Sequence, residues 1–266
     1  MIVKDNFINV NEFIPNENNS KNTTLIITHG MGEYSKSYKE AAEALKEKGF
    51  NVITYDLYGH GKSFGKRGYI KKYQYYLNDL DRLVKYAYEN TKNVFLIGHS
   101  MGGVITNLYA SINNNINGVI VTSSPTDYLP RLSKVRYIPK VFLNNKRSRT
   151  NFKDSKLVHD NNYVVDGYDL EYIHFKLINE VLFKGIRRLK KNYKKYVTNA
   201  LFIYSSSDEI VSPSNGKYIM EKIKSKDKTL LVYENSYHNI FNDVEKDMLI
   251  EDISKWVIER IWKNIL

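Results

Sequence analysis

The stretch Val94-Phe95-Leu96-Ile97-Gly98-His99-Ser100-Met101-Gly102-Gly103 decides the fold. Its four apolar residues read as a buried strand, and Val104 to Ile112 reads as a helix. Between them lies a G-x-S-x-G pattern, with the serine at a strand-to-helix turn. Such a turn strains the serine backbone and leaves its hydroxyl exposed at the carboxyl end of a sheet. The flanking glycines are needed because a Cβ there would collide with the neighbouring strand or helix. A plain glycine turn with a solvated serine is the competing reading. The strand and helix on either side favour a nucleophile.

The same rhythm recurs outward from this point. Leu25 to Thr28 reads as a strand ending at His29-Gly30-Met31-Gly32. A helix is predicted from Ser37 to Lys48, with Tyr38, Ala41, Ala42 and Leu45 on one face and Gly49 as its stop. Phe50 to Tyr55 is a strand running into the turn-rich Asp56-Leu57-Tyr58-Gly59-His60-Gly61-Lys62-Ser63. A helix from Tyr73 to Tyr88 and strands Asn117 to Thr122 and Ala200 to Tyr204 follow. A helix near Pro213 to Lys224, the strand Thr229 to Tyr233 and a helix from Val244 to Trp262 complete the chain. This alternation predicts an α/β fold with a mostly parallel central sheet and helices on both faces. The nearly continuous apolar strands fit burial on both sides.

The rhythm lapses between Pro125 and about Tyr196, where one helix is predicted over Tyr168 to Lys195. The expected organisation is a core formed by 1–125 and 197–266, with 126–196 inserted as a cap. Its expected place is the carboxyl edge of the sheet, where ligands of open α/β folds bind.

A serine hydroxyl needs a base within hydrogen-bond reach and a third group to orient that base. Asp208, in Ser205-Ser206-Ser207-Asp208-Glu209-Ile210-Val211, and His238, in Glu234-Asn235-Ser236-Tyr237-His238-Asn239, both follow strands at the same edge as Ser100. Asp208 would also suit a helix cap, and Asp127 is an alternative acid. His159 and His174 are expected at the surface or in packing. His29, His60 and His99 are expected to hydrogen-bond locally within their turns. An oxyanion would find one donor in the amide of Met101 and another in the turn His29-Gly30-Met31-Gly32.

Taken together, the chain resembles the monoglyceride lipase/lysophospholipase branch of the α/β-hydrolases, the serine aminopeptidase S33-like group. The resemblance rests on His29-Gly30-Met31-Gly32-Glu33, Asp56 to Ser63, Gly98 to Gly103, Asp208-Glu209-Ile210-Val211 and His238-Asn239-Ile240-Phe241-Asn242. It implies an α/β-hydrolase fold, a Ser100-Asp208-His238 triad, and an oxyanion hole from the amides of Met31 and Met101. It also makes the insertion a cap shaping an acyl-chain pocket. Within that cap Tyr128, Leu129, Val135, Ile138 and Phe142 are the expected substrate contacts.

The formal charge of +11 is localised: residues 127–200 hold 17 Lys+Arg against 7 Asp+Glu, and the remainder 23 against 22. Arg131, Lys134, Arg136 and Lys140 interleave with apolar residues, which suits an amphiphile with an acyl tail and an anionic head. The expected partners are a small amphiphilic ester and, transiently, an anionic lipid surface; no nucleic-acid motif accompanies the charge. There is no cysteine, no basic-then-apolar leader and no apolar run of the roughly 18 residues a membrane span needs. A cytoplasmic monomer or weak homo-oligomer is expected. No metal-spaced cluster, phosphate loop or dinucleotide fingerprint is visible, so the chemistry is expected to need no cofactor. The expected reaction is hydrolysis of a carboxylic ester. A thioesterase or S33-like peptidase, and a non-catalytic binder of anionic surfaces, are the competing readings.

Overall fold

The computed structural model describes residues 2–3, 6–132, 138–139, 143, 146–152, 154–159 and 166–263. Seven strands form one sheet: β1 (Val10–Phe13), β2 (Thr23–Thr28), β3 (Asn51–Tyr55), β4 (Asn93–His99), β5 (Gly118–Thr122), β8 (Ala200–Ser205) and β9 (Lys228–Tyr233). Their spatial order is β9-β8-β5-β4-β2-β3-β1. All pairings are parallel except β1 with β3. The serine strand β4 is central, flanked by β2 and β5, and its residues from Val94 onward are buried. This is the mostly parallel sheet expected from the alternation of elements, and it is the α/β-hydrolase architecture that the resemblance implies.

Two apolar layers sandwich the sheet. One face receives α1 (Lys39–Glu47) and α7 (Lys246–Lys263) through Ala42, Leu45, Leu249, Ile253 and Trp256. The other receives α2 (Gln74–Asn90), α3 (Met101–Ala110) and α6 (Ser214–Lys222), among them Leu80, Val84, Val104 and Ile219. The second layer continues into the insertion through Leu177, Val181, Ile186 and Leu189, so one hydrophobic cluster spans both.

The insertion departs from the single helix expected over Tyr168 to Lys195. Asp166 accepts from the Tyr168 amide, and Asp169 accepts from the Asp166 amide, closing a turn that no helix enters. Tyr172–His174 then forms β7, antiparallel to β6 (Arg147–Arg149). Helix begins only at α4 (Phe175–Ile178), passes through a wide turn over Asn179–Gly185 and ends in α5 (Ile186–Asn192). Inside the wide turn Glu180 is buried and held by Lys176 and Lys184, one turn to either side. No helix among the described residues is long and apolar enough to cross a membrane.

Candidate active site

Four loops leave the carboxyl ends of β2, β4, β8 and β9 and converge. Ser100 ends β4 with φ +50° and ψ −115°, a conformation that L-residues rarely adopt. Its amide donates to the Thr122 carbonyl at 2.9 Å, tying the turn to β5. A Cβ on Gly98 would overlap Thr106 Oγ1 and lie 2.6 Å from the Gly102 carbonyl oxygen. A Cβ on Gly102 would overlap the Thr28 carbonyl. The turn is therefore restricted to glycine at both positions.

His238 Nε2 stands 3.0 Å from Ser100 Oγ, and His238 Nδ1 stands 2.8 Å from Asp208 Oδ2. The other Asp208 oxygen accepts from the amides of Ile210 and Val211 at 2.7 and 2.9 Å. Asp208 thus serves as both turn cap and partner of the histidine, one oxygen for each. Burial pushes its carboxyl up, but the His238 bond and charge and the two amides outweigh this and hold it below the usual range. With Nδ1–H committed to this carboxylate, Nε2 of the neutral ring faces the serine as an acceptor. Asp127 is engaged elsewhere, accepting from Lys190 Nζ and the Tyr128 amide, each at 2.7 Å.

His99 lies behind this pair, its ring centroid 5.0 Å from that of His238. Burial drives its pKa well below the ordinary value, so it stays neutral and brings no cation beside His238. His29 and His60 make the local bonds expected, His29 Nδ1 to the Gly30 carbonyl at 2.7 Å and His60 Nδ1 to the Tyr58 carbonyl at 3.3 Å, and His29 also accepts from the Leu57 amide at 3.0 Å. His99 departs from that expectation, its Nδ1 lying 3.0 Å from Thr122 Oγ1 on β5. His174 is buried edge-on against Tyr69. His159 contacts the loop that follows His238.

Met101 opens α3, so its amide has no acceptor within the helix. Met31 lies in the turn after β2 and lines the cavity in front of Ser100. Sequence reasoning quoted Glu33 only as part of a motif, and the structure gives it a distinct place. Its Oε2 accepts from the Gly30 amide at 2.9 Å and from the Tyr38 hydroxyl at 2.7 Å. Its Oε1 accepts from Asn239 Nδ2 at 3.0 Å. Burial raises its pKa, against the pull of the Tyr38 and Gly30 bonds. The signal available in the sequence was an acid five residues past the strand end at Thr28, closing a glycine turn.

The cavity has a volume of about 420 Å³. Leu132, Phe152, Leu157, Ile173, Ile178 and Leu182 give it an aliphatic and aromatic wall. Ser148, Arg149, Thr150 and Asn151 give it a polar margin. The expected contacts are placed differently. Tyr128 packs against the Phe183 ring under Lys190, Leu129 is buried in the core, and Ile138 is exposed. Tyr128 and Leu129 lie a few residues past the end of β5 and are drawn into the hydrophobic cluster that joins the core to the insertion, which leaves Leu132 as the contributor from that stretch. Val135 and Phe142 lie outside the described residues.

A family model described as serine aminopeptidase, S33 matches residues 19–245. The chain belongs to that family. This hydrolase is 27% identical to the monoglyceride lipase of Rattus norvegicus over 250 residues, covering 89% of this chain and 82% of the relative. The crystal structure of a monoacylglycerol lipase from Paleococcus ferrophilus superposes with a TM-score of 0.84 at 25% identity, covering 96% of this chain and 99% of that one. A soluble variant of monoglyceride lipase from Saccharomyces cerevisiae, solved with a substrate analog, gives 0.85 at 20% identity, covering 98% and 94%. The chain is a serine hydrolase, and its relatives are ester hydrolases by name.

Proposed function

We propose that Ser100, His238 and Asp208 are a catalytic triad that hydrolyses the carboxylic ester of a single-chain amphiphile, a monoacylglycerol or a lysophospholipid. The observation that carries this reading is the unbroken chain of hydrogen bonds Asp208–His238–Ser100 opening on an apolar-walled cavity. Residues 126–196 act as the cap on a core of 1–125 and 197–266, and the cavity lies between them. Its volume falls in the range of roughly 300–1,000 Å³ typical of small-ligand sites.

In the mechanism His238 takes the Ser100 proton as the hydroxyl attacks the ester carbonyl. The amides of Met31 and Met101 hold the oxyanion, each such donor being worth roughly 10²–10³ in rate. His238 then protonates the leaving alcohol, and a water activated by the same ring releases the acid from the acyl-enzyme. Asp208 fixes the ring tautomer and stabilises the imidazolium.

Head-group choice rests on Arg149. Arg149 is among the residues lining the cavity and forms no ion pair with a carboxylate among the described residues, which favours an anionic head over a neutral one. The basic run at 131–140 that suggested this preference falls mostly outside the described residues. Aminopeptidase action would need a free carboxylate to grip an ammonium group. Glu33 is the one acid lining the cavity among the described residues, and both its oxygens already accept protein hydrogen bonds.

The test is turnover of short chromogenic esters, then of monoacyl esters with head group and chain length varied separately. Wild type turns them over, and Ser100→Ala falls by several orders of magnitude. A wild type as inert as Ser100→Ala overturns the reading.

A further inference from the structure

The segment 154–159 of the insertion is bonded to both loops that carry the triad partners of Ser100. The amide of His238 donates to the Lys156 carbonyl at 3.4 Å, and that of Asn239 donates to the Leu157 carbonyl at 2.9 Å. Lys156 Nζ pairs with Glu209, the neighbour of Asp208, at 2.6 Å. His159 completes the set. Its amide donates to Asp243 Oδ1 at 3.0 Å, and its Nδ1 lies 3.0 and 3.2 Å from the two Asp243 oxygens. The same carboxylate accepts from the Tyr237 amide at 2.6 Å and the Val244 amide at 2.9 Å. The His159 ring stacks on Tyr237, with centroids 3.7 Å apart and planes 12° from parallel.

Each contact restrains Tyr237-His238-Asn239 from a different side. The backbone bonds fix where the loop lies, Asp243 pins the Ser236–Tyr237 peptide, and the stacked ring opposes rotation of the Tyr237 side chain. Leu157 also lines the cavity, so the piece of chain that restrains the base touches the space for substrate. None of these contacts is needed to close the hydrophobic core: Lys156 and Glu209 are exposed, and His159 is more than one-third exposed.

From this arrangement we infer that 154–159 is a strap that positions the general base, with His159 its anchoring side chain. His159 touches neither substrate nor reacting atoms; it is a positioning residue, acting through Asp243 and Tyr237 on His238. The inference rests on the assignment of His238 as base. It adds that the cap completes the catalytic geometry as well as roofing the cavity. A displacement of the base by a fraction of an ångström to an ångström is enough to lower the rate by roughly 10- to 100-fold.

The experiment compares wild type, His159→Ala and His159→Asn on a short soluble ester, reading kcat and KM separately. It also follows the proton NMR resonance of the His238–Asp208 hydrogen bond. His159→Ala lowers kcat about tenfold or more, leaves KM within about twofold, and broadens the resonance by faster exchange. His159→Asn keeps a side-chain N–H close to the Nδ1 position and restores most of both. Should His159→Ala fail to fold, Tyr237→Leu removes the stacked ring while keeping an apolar side chain and the Asp243 bonds, and a smaller kcat loss of roughly twofold to threefold with unchanged KM is expected. Wild-type kcat in these variants, or a change in KM alone, overturns the strap and leaves the triad standing. An inert wild type overturns the triad itself.

Discussion

Glu33 Oε1 accepts a hydrogen bond from Asn239 Nδ2 at 3.0 Å, across 206 residues of chain. Through this contact the loop proposed to hold the oxyanion and the loop bearing His238 share one buried carboxylate. Replacement by glutamine preserves shape but puts a donor against a donor: its amide nitrogen would face Asn239 Nδ2. Asn239 cannot turn over freely, because its Oδ1 accepts from Asn242 Nδ2 at 3.1 Å. Glu33→Gln is expected to lower kcat about tenfold, and Glu33→Ala about 10²-fold, toward the effect of losing an oxyanion donor. Steady-state kinetics on a soluble ester check this; undiminished kcat in both variants refutes it.

Asp208 and Asp127 compete for the role of third triad member. Asp208→Asn removes the acceptor that fixes the His238 tautomer and is expected to lower kcat by roughly 10⁴. Asp127→Asn loses only its partly exposed bond to Lys190, and activity is expected to stay within about threefold. A reversal of these two effects would reassign the acid.

Asp79 is buried on α2, where burial pushes its carboxyl up to about 6 against the pull of Arg82 at 3.4 Å. The native state therefore favours the protonated form. The resulting stability is fully present below the unfolded value near 3.9 and is lost as pH rises through about 6. Asp79→Asn, a neutral mimic, is expected to stabilise the protein by roughly 1–3 kcal/mol at pH 7.5 and by much less at pH 4.5. Denaturant melts of both proteins at the two pH values decide it, and a difference independent of pH counts against the explanation.

Arg149 predicts a preference that salt weakens. Wild type is expected to turn over anionic monoacyl esters faster than neutral ones at low ionic strength, with the ratio shrinking as salt rises past the physiological range. Arg149→Gln is expected to lower that ratio by roughly threefold to tenfold while sparing neutral esters. An unchanged ratio removes Arg149 from head-group selection.

The core of the fold was legible because its strands are buried on both faces and its helices are amphipathic. The predicted ends of β2, β4, β8 and β9 fall within about two residues of those found, and Ser100, Asp208 and His238 follow at the same edge. What escaped notice depends on distant partners. β1 is half exposed and polar, and it exists through its pairing with β3, Val10 opposite Tyr55. β6 is Arg-Ser-Arg, which carries no strand signal until Tyr172–His174 lies beside it. The turn closed by Asp166 and Asp169 interrupted a stripe of apolar residues that periodicity alone joined into one helix. Leu132, Phe152 and Leu157 face the cavity for reasons of tertiary placement that their neighbours in sequence do not announce.

Engineering substrate range by replacing the proposed cap, 126–196, is constrained by the Leu170 amide, which donates to the Gly32 carbonyl at 3.1 Å. The loop after β2 is thereby stitched to that segment by a backbone hydrogen bond. A transplant that swaps 126–196 alone would sever that stitch together with those at Lys156 and Leu157. A chimaera that also imports the donor's 30–34 and 237–243 carries its seams intact, and those junctions, more than pocket shape, would decide whether it works.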